Sequence, residues 1–258
     1  MGSLLKEPRL IGVPVGSTEY FHLQRTLIQG RPLLKYCYDI WYREMVLPNQ
    51  GQSFQKGETV ELGSGGSMLS DFVPHLITSD VVPGVAERVI DGRDLPFADG
   101  SMQAIFMSHT FHHIPDVARF LKEADRVLKP GGYVAMVEVA HTPFARFFFD
   151  KFHPEPYDDR PESWDFTQND SMMDSNQALS WMVFVRDLEK YSRQFPHLVV
   201  EKTKWLPWLT YILAGGVTMR NLIPSWLVPL LIGLEMLVAP LRPLMALHWL
   251  LILRKTEK

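Results

Sequence analysis

The chain has 258 residues, enough for one large domain or one domain with a substantial insertion on a prior of roughly 100 to 200 residues per domain. Apolar residues make up 46% and charged residues 21%, which excludes disorder, collagen-like repeats and coiled coil. Twenty-six Lys and Arg against 29 Asp and Glu leave a net charge of -3. No overall basic field gathers phosphates, so nucleic acid is not an expected partner.

Residues 1–10 carry Lys6, Glu7 and Arg9 and no apolar run of signal-peptide length. Gly2 suits a myristoyl group, but Lys6 stands where that motif wants Ser or Thr. The single cysteine, Cys37, cannot pair within the chain and reads as a helix-packing residue, which fits a reducing compartment. A cytoplasmic protein is expected. Within an N-terminal cap, residues 1–56, the spacing of Leu34, Tyr38, Trp41, Tyr42 and Met45 predicts a helix over 32–47.

From 57 to 140, strand and turn or helix signals alternate as in a parallel α/β sheet. Strands are expected at 59–62, 76–79, 88–90, 104–107 and 133–139. Val117, Phe120, Leu121, Ala124, Val127 and Leu128 mark a helix over 116–129, capped by Asp116 and stopped by Pro130-Gly131-Gly132. Residues 141–196 mix aromatics with acids, with a helix expected over 176–191. A segment of this kind beyond the carboxyl edge of a sheet is a candidate lid over an acceptor.

The last stretch, 197–258, holds strands at 198–205 and 248–253 with an insertion, 207–247, where a hairpin needs only a few residues. The charges of the insertion are Arg220, Glu235 and Arg242, and prolines recur at 207, 224, 229, 240 and 243. Its uncharged runs fall short of the roughly 18 to 20 residues that cross a bilayer. Residues 226–239 are apolar nearly all round, and tryptophans stand at 205, 208, 226 and 249. The insertion is therefore expected to dip into one membrane leaflet, to wall an apolar substrate or to make a dimer face.

The chemistry begins at Glu61-Leu62-Gly63-Ser64-Gly65-Gly66-Ser67, where glycines after a first strand let the backbone approach a ligand and aim a helix N-terminus at it. Alone, Gly63 and Gly65 could equally serve a tight turn. Met68 fills the place of the third glycine of a dinucleotide fingerprint, and no Lys completes a phosphate-binding loop. A glycine loop with an acid inside its strand, Glu61, and another after the second strand, Asp80, suits a ligand with a ribose and a cationic end, such as S-adenosylmethionine.

Four motifs in register carry a family resemblance. Val60-Glu61-Leu62-Gly63-Ser64-Gly65, residues 91–101 from Asp91-Gly92-Arg93-Asp94, residues 108–116 from Ser108-His109-Thr110, and residues 126–132 around Lys129-Pro130-Gly131-Gly132 resemble class I S-adenosylmethionine-dependent methyltransferases of the small-molecule, UbiE-like (type 11) group. The resemblance covers about a third of the chain. It implies a doubly wound, Rossmann-like α/β sheet of about seven strands with an antiparallel last strand. It also implies that Glu61, Gly63, Ser64 and Gly65 line the methionine end of the cofactor, Asp80 the ribose, Asp91 and Gly92 the adenine, and Ser108 the edge of the fourth strand. Ser67 departs from the family's last glycine, and the short interval from Asp80 to Asp91 leaves little room for a helix.

His109, His112, His113 and Asp116 also invite a metal reading, but Pro115 breaks the helix that would align them, and no metal is expected. Imidazole titrates near neutral pH, so His109, His112 and His141 are candidate general bases for an oxygen acceptor. The expected activity is direct methyl transfer to a hydrophobic small molecule, lipid or lipid-linked sugar. The competing expectations are a non-catalytic scaffold that binds donor or membrane, and a nicotinamide-dependent dehydrogenase already weakened by Met68.

Overall fold

The computed structural model of the protein describes residues 6–49, 51, 53–167, 174–221 and 223–256. Gly2 lies outside them. A seven-stranded sheet runs in the order β3-β2-β1-β4-β5-β7-β6. Its strands are β1 (Thr59–Leu62), β2 (Ile77–Asp80), β3 (Arg88–Val89), β4 (Met102–Ser108), β5 (Leu128–Val139), β6 (Leu198–Trp205) and β7 (His248–Lys255). The first five pair in parallel, and β7 runs antiparallel between β5 and β6. The sheet is the expected α/β architecture.

Alternation along the buried strands creates two cores. Val60, Leu62, Val134, Met136, Leu251 and Leu253 pack with α3 (Val117–Val127), while Ala104, Phe106, Tyr133, Ala135, Leu250 and Ile252 pack on the opposite face. Asp116 caps α3 as expected, its Oδ1 accepting the Arg119 amide at 2.9 Å.

The opposite face departs from the expectation. No α-helix follows the glycine loop, and a 3-10 turn, Leu69–Asp71, leads towards β2; that no helix separates β2 from β3 agrees with the short interval from Asp80 to Asp91. That side is covered by two N-terminal helices, α1 (Thr18–Gly30) and α2 (Pro32–Val46), of which only α2 is read from the sequence. From α2, Leu34, Cys37, Tyr38, Trp41, Tyr42 and Met45 all enter the second core, so apolar burial supplied early in the chain replaces the missing crossovers. Cys37 is fully buried and lies 3.5 Å from Thr210 Oγ1, a packing residue as expected.

The lid contains α4 (Pro143–Phe152), then α5 (Leu179–Trp181), a π-helical turn (Met182–Arg186) and α6 (Leu188–Gln194), so the single helix expected over 176–191 is broken. The insertion folds into α7 (Leu209–Leu213), α8 (Val228–Leu237) and α9 (Arg242–Met245). Its root is pinned by Glu235, whose buried carboxylate accepts the Trp208 and Thr210 amides at 3.3 and 3.0 Å and faces Arg242 at 3.4 Å. No single helix among the described residues is long and apolar enough to cross a membrane.

Candidate active site

The chain leaves β1 for β2 and β3 on one side, then crosses to β4 on the other. This reversal opens a crevice at the carboxyl ends of β1 and β4, the position where open α/β sheets bind ligands. Every sequence-predicted cofactor residue lies along this edge. Gly63 and Gly65 adopt φ of 64° and 45°, a left-handed backbone that favours glycine. The loop is tied to β2: Ser64 N donates to the Ser79 carbonyl at 2.8 Å, and Gly65 N to Asp80 Oδ2 at 3.1 Å. Ile90 N donates to the Asp80 carbonyl at 3.2 Å, bringing the turn that holds Asp91 and Gly92 beside it. Ser108 ends β4, its Oγ 3.9 Å from Met45 Sδ.

Glu61 is the unusual group. It is buried in β1, and both carboxylate oxygens lack a hydrogen-bond partner. The nearby Ser64 hydroxyl points instead to the Glu61 carbonyl, and Ser67 Oγ is shared with Tyr42 while receiving the Leu69 amide. Burial pushes the Glu61 carboxyl up to about 7. An orphaned carboxylate beside a glycine loop fits a cationic group such as the ammonium of S-adenosylmethionine.

The other cofactor candidates already have protein partners. Asp80 Oδ1 accepts the Val82 amide at 3.0 Å, and burial raises its carboxyl above the usual range. Two further lone pairs remain for ribose hydroxyls. Asp91 pairs with Arg93 at 2.6 Å, which lowers its carboxyl. Thr110 and α1 press on the loop: a Cβ at Gly63 would lie 2.5 Å from Thr110 Oγ1, and one at Gly66 would lie 3.0 Å from the Arg25 backbone nitrogen. Arg25 also donates to the Ser67 carbonyl at 2.6 Å. A close approach by protein therefore accounts for part of the glycine requirement.

The candidate bases separate. His109, at φ 56°, is half-buried, packed between Trp41 and His248 with Nε2 enclosed and unpartnered, and desolvation pushes it down to about 4. It stays neutral at physiological pH and can accept a proton. His112 does not fit that role. Burial alone would lower it, but the Glu138 charge and hydrogen bonds to Glu138 and Glu155 lift it to about 10, so it is held as a cation. His141 meets only lid residues, stacking on Trp181 at 3.7 Å and reaching Asp159 at 2.9 Å. The four residues His109, His112, His113 and Asp116 do not assemble, because Asp116 is spent on capping α3.

Sequence reading passed over Glu138, Glu155, Gln177 and Arg25. Glu138 had a signal, an acid within the otherwise apolar end of a strand, like Glu61. Glu155 and Gln177 sit in irregular lid segments with no periodicity to mark them.

Residues 64–136 match the Methyltransf_11 family, a methyltransferase domain. Over these residues the chain carries a methyltransferase domain of that type. For a domain of this class the methyl donor is S-adenosylmethionine. It is 38% identical over 82 residues to demethylmenaquinone methyltransferase of Corynebacterium glutamicum, covering 31% of this chain and 36% of that protein. Similarity to the UbiE C-methyltransferase of Geotalea daltonii is 35% over 91 residues, covering 35% of each chain. The chain thus spans about a third of the length of the curated relatives it matches. The crystal structure of geranyl diphosphate C-methyltransferase from Streptomyces coelicolor superposes with a TM-score of 0.55 at 15% identity, covering 99% of this chain and 91% of that one. That likeness bears on the fold, in which the methyltransferase domain is continuous with its cap, lid and insertion.

Proposed function

We propose that the chain is an S-adenosylmethionine-dependent methyltransferase acting on a hydrophobic, quinone-like small molecule. The observation that carries the reading is Glu61, a buried and unpartnered carboxylate at the switch point of a methyltransferase-type sheet. When bound, the donor supplies a sulfonium-activated methyl group. Glu61 would hold its ammonium, Asp80 its ribose, and Asp91 with Gly92 its adenine, which fixes the methyl in line for the acceptor. His109, neutral and half-buried next to Thr110, would take the proton of a hydroxyl acceptor at Nε2. The demethylmenaquinone methyltransferases among the relatives, and the aromatic lid, support an apolar acceptor.

The test is calorimetry with S-adenosylmethionine and S-adenosylhomocysteine, followed by mass spectrometry of demethylmenaquinone and of lipid extracts incubated with protein and donor. Donor binding and the gain of one methylene in an acceptor are expected. A second reading, a scaffold that binds donor without turnover, is favoured by the tight packing of Thr110 and α1 on the glycine loop. Binding without consumption of donor would establish it.

The insertion supports contact with one membrane leaflet from the cytoplasmic side. Trp226 and Leu237 are 77% and 76% exposed, with Leu230 and Met236 beside them on the same short helical segment. Flotation with phospholipid vesicles tests this. A protein that stays with the soluble fraction would leave the face to substrate or to a partner.

A further inference from the structure

His112 and His113 occupy the 3-10 turn after β4, Phe111–His113, and Glu155 follows α4 in the lid. Their side chains converge. Glu155 Oε2 lies 3.3 Å from His112 Nε2 and 3.6 Å from His113 Nε2, and one ligand atom from each of the three falls within 4.8 Å of the others. Four-coordinate zinc with bonds of about 2.0 to 2.1 Å sets its ligand atoms roughly 3.4 Å apart, so two of the three separations already suit it. The third, between the two imidazoles, is no more than 4.8 Å, so binding to both requires the rings to draw together.

The surroundings are those of a metal ligand. Glu138, fully buried, stands 2.6 Å from His112 Nδ1 and also accepts the Thr110 and Phe111 amides, which fixes the ring so that Nε2 points at Glu155. A carboxylate behind an imidazole in this way orients it and raises its basicity towards a cation. Gln177, 2% exposed, donates through Nε2 to Glu155 Oε2, and its own Oε1 is buried without a partner. Its Nε2 is 3.4 Å from His112 Nε2, so the amide stands at the rim of the same cluster.

We infer that His112, His113 and Glu155 form a three-ligand site for a zinc-class divalent cation, with Glu138 as the positioning residue behind His112 and the Gln177 amide at its edge. On binding, the cation takes the place of any proton on His112 Nε2, which leaves to solvent. Two imidazoles and one carboxylate suit zinc or cobalt better than magnesium or calcium, which prefer oxygen. Because Glu155 belongs to the lid and both histidines to the core, a bound ion fastens one to the other. This assignment stands apart from methyl transfer, since it concerns binding without donor or acceptor.

The test is titration of the metal-stripped full chain with Co(II), followed by visible absorption, together with anomalous diffraction from crystals soaked in Zn(II). One Co(II) per chain with the strong absorption of a four-coordinate ion is expected, at least tenfold weaker in His113→Ala and Glu155→Gln. The anomalous peak should lie within bonding distance of His112 and His113 Nε2. The diffraction measurement uses the unaltered protein, so it holds even if a variant fails to fold. Absence of uptake, equal uptake by the folded variants, or a peak elsewhere would overturn the site.

Discussion

Glu138 and Glu155 reach the two ring nitrogens of His112 from opposite sides, one from the end of β5 and the other from the lid, at 2.6 and 3.3 Å. Burial pushes both carboxyls up, but the His112 cation, aided by hydrogen bonding, holds both below the usual range. The imidazolium between two carboxylates joins the end of β5 to the lid segment, which also enters the sheet's core through Leu179, Val183 and Phe184.

Turning the inner carboxylate into an amide leaves a buried cation short of charge and sets an NH2 group against His112 Nδ1, while the Gln oxygen can still accept the Thr110 and Phe111 amides. Glu138→Gln is therefore expected to lower folding stability by about 3 kcal/mol, as for other broken buried pairs. Urea unfolding measures this, and an unchanged midpoint would show that the pair contributes nothing net.

The Glu61 carboxyl is raised from 4.5 to about 7 by burial, so the folded protein binds this proton more tightly than the unfolded chain. Its stabilising contribution is complete below pH 4.5 and is lost as the pH rises to 7. The loss amounts to roughly 3 kcal/mol on the scale of 1.36 kcal/mol per unit. Glu61→Gln should remove that decline in thermal denaturation between pH 5 and 8. A cationic donor favours the ionised form, so donor affinity of the wild type should rise with pH through 7, and that of the variant should not.

Asp80 carries both the Gly65 and Val82 amides. Asp80→Ala is expected to weaken donor binding by about 1 to 3 kcal/mol, through lost hydrogen bonds to the sugar and a loosened loop. Calorimetry decides; unchanged affinity would remove Asp80 from the cofactor site.

His109→Ala should leave donor affinity close to wild type and, for a hydroxyl acceptor, slow turnover by about 100- to 10,000-fold. Since burial holds this imidazole neutral down to about pH 4, the His109-dependent rate should be flat above pH 5. Unaltered turnover would exclude it as the base.

Paired changes Trp226→Ser and Leu237→Ser strip apolar surface from α8 and the 3-10 turn, Ser225–Leu227, that precedes it, so stability should stay within about 0.5 kcal/mol. Loss of vesicle flotation with folding intact is the expected outcome. Deleting the whole insertion is a poorer test, because Thr210, Tyr211 and Ala214 pack against α2.

Strong period signals were legible in the sequence. Four-residue β1 and the eight-residue β6 occur at their expected limits, and α3 follows from Asp116 and its apolar stripe. The glycine turn at Gly63 and Gly65 and the buried Glu61 beside it were legible because glycine and a buried acid are costly to place elsewhere. Helix α1 was missed because only Tyr20, Leu27 and Ile28 of its thirteen residues are buried, leaving a weak apolar stripe, although Ser17 Oγ caps it by accepting the Tyr20 amide. The role of His112 was out of reach, since it depends on carboxylates 26 residues away in β5 and in an irregular part of the lid. Exposure of α8 could not be told from burial, as an all-apolar run reads alike in a core and at a surface.

Trp205 and Trp249 face each other across the β6–β7 ladder at the root of the insertion. The excursion between them begins and ends at one rung, so its length and sequence can drift through evolution without disturbing the order of β1 and β4, where the candidate donor site lies. Descendants of this scaffold could exchange what they modify, or where they reside, by rewriting that single loop and its contacts with α2.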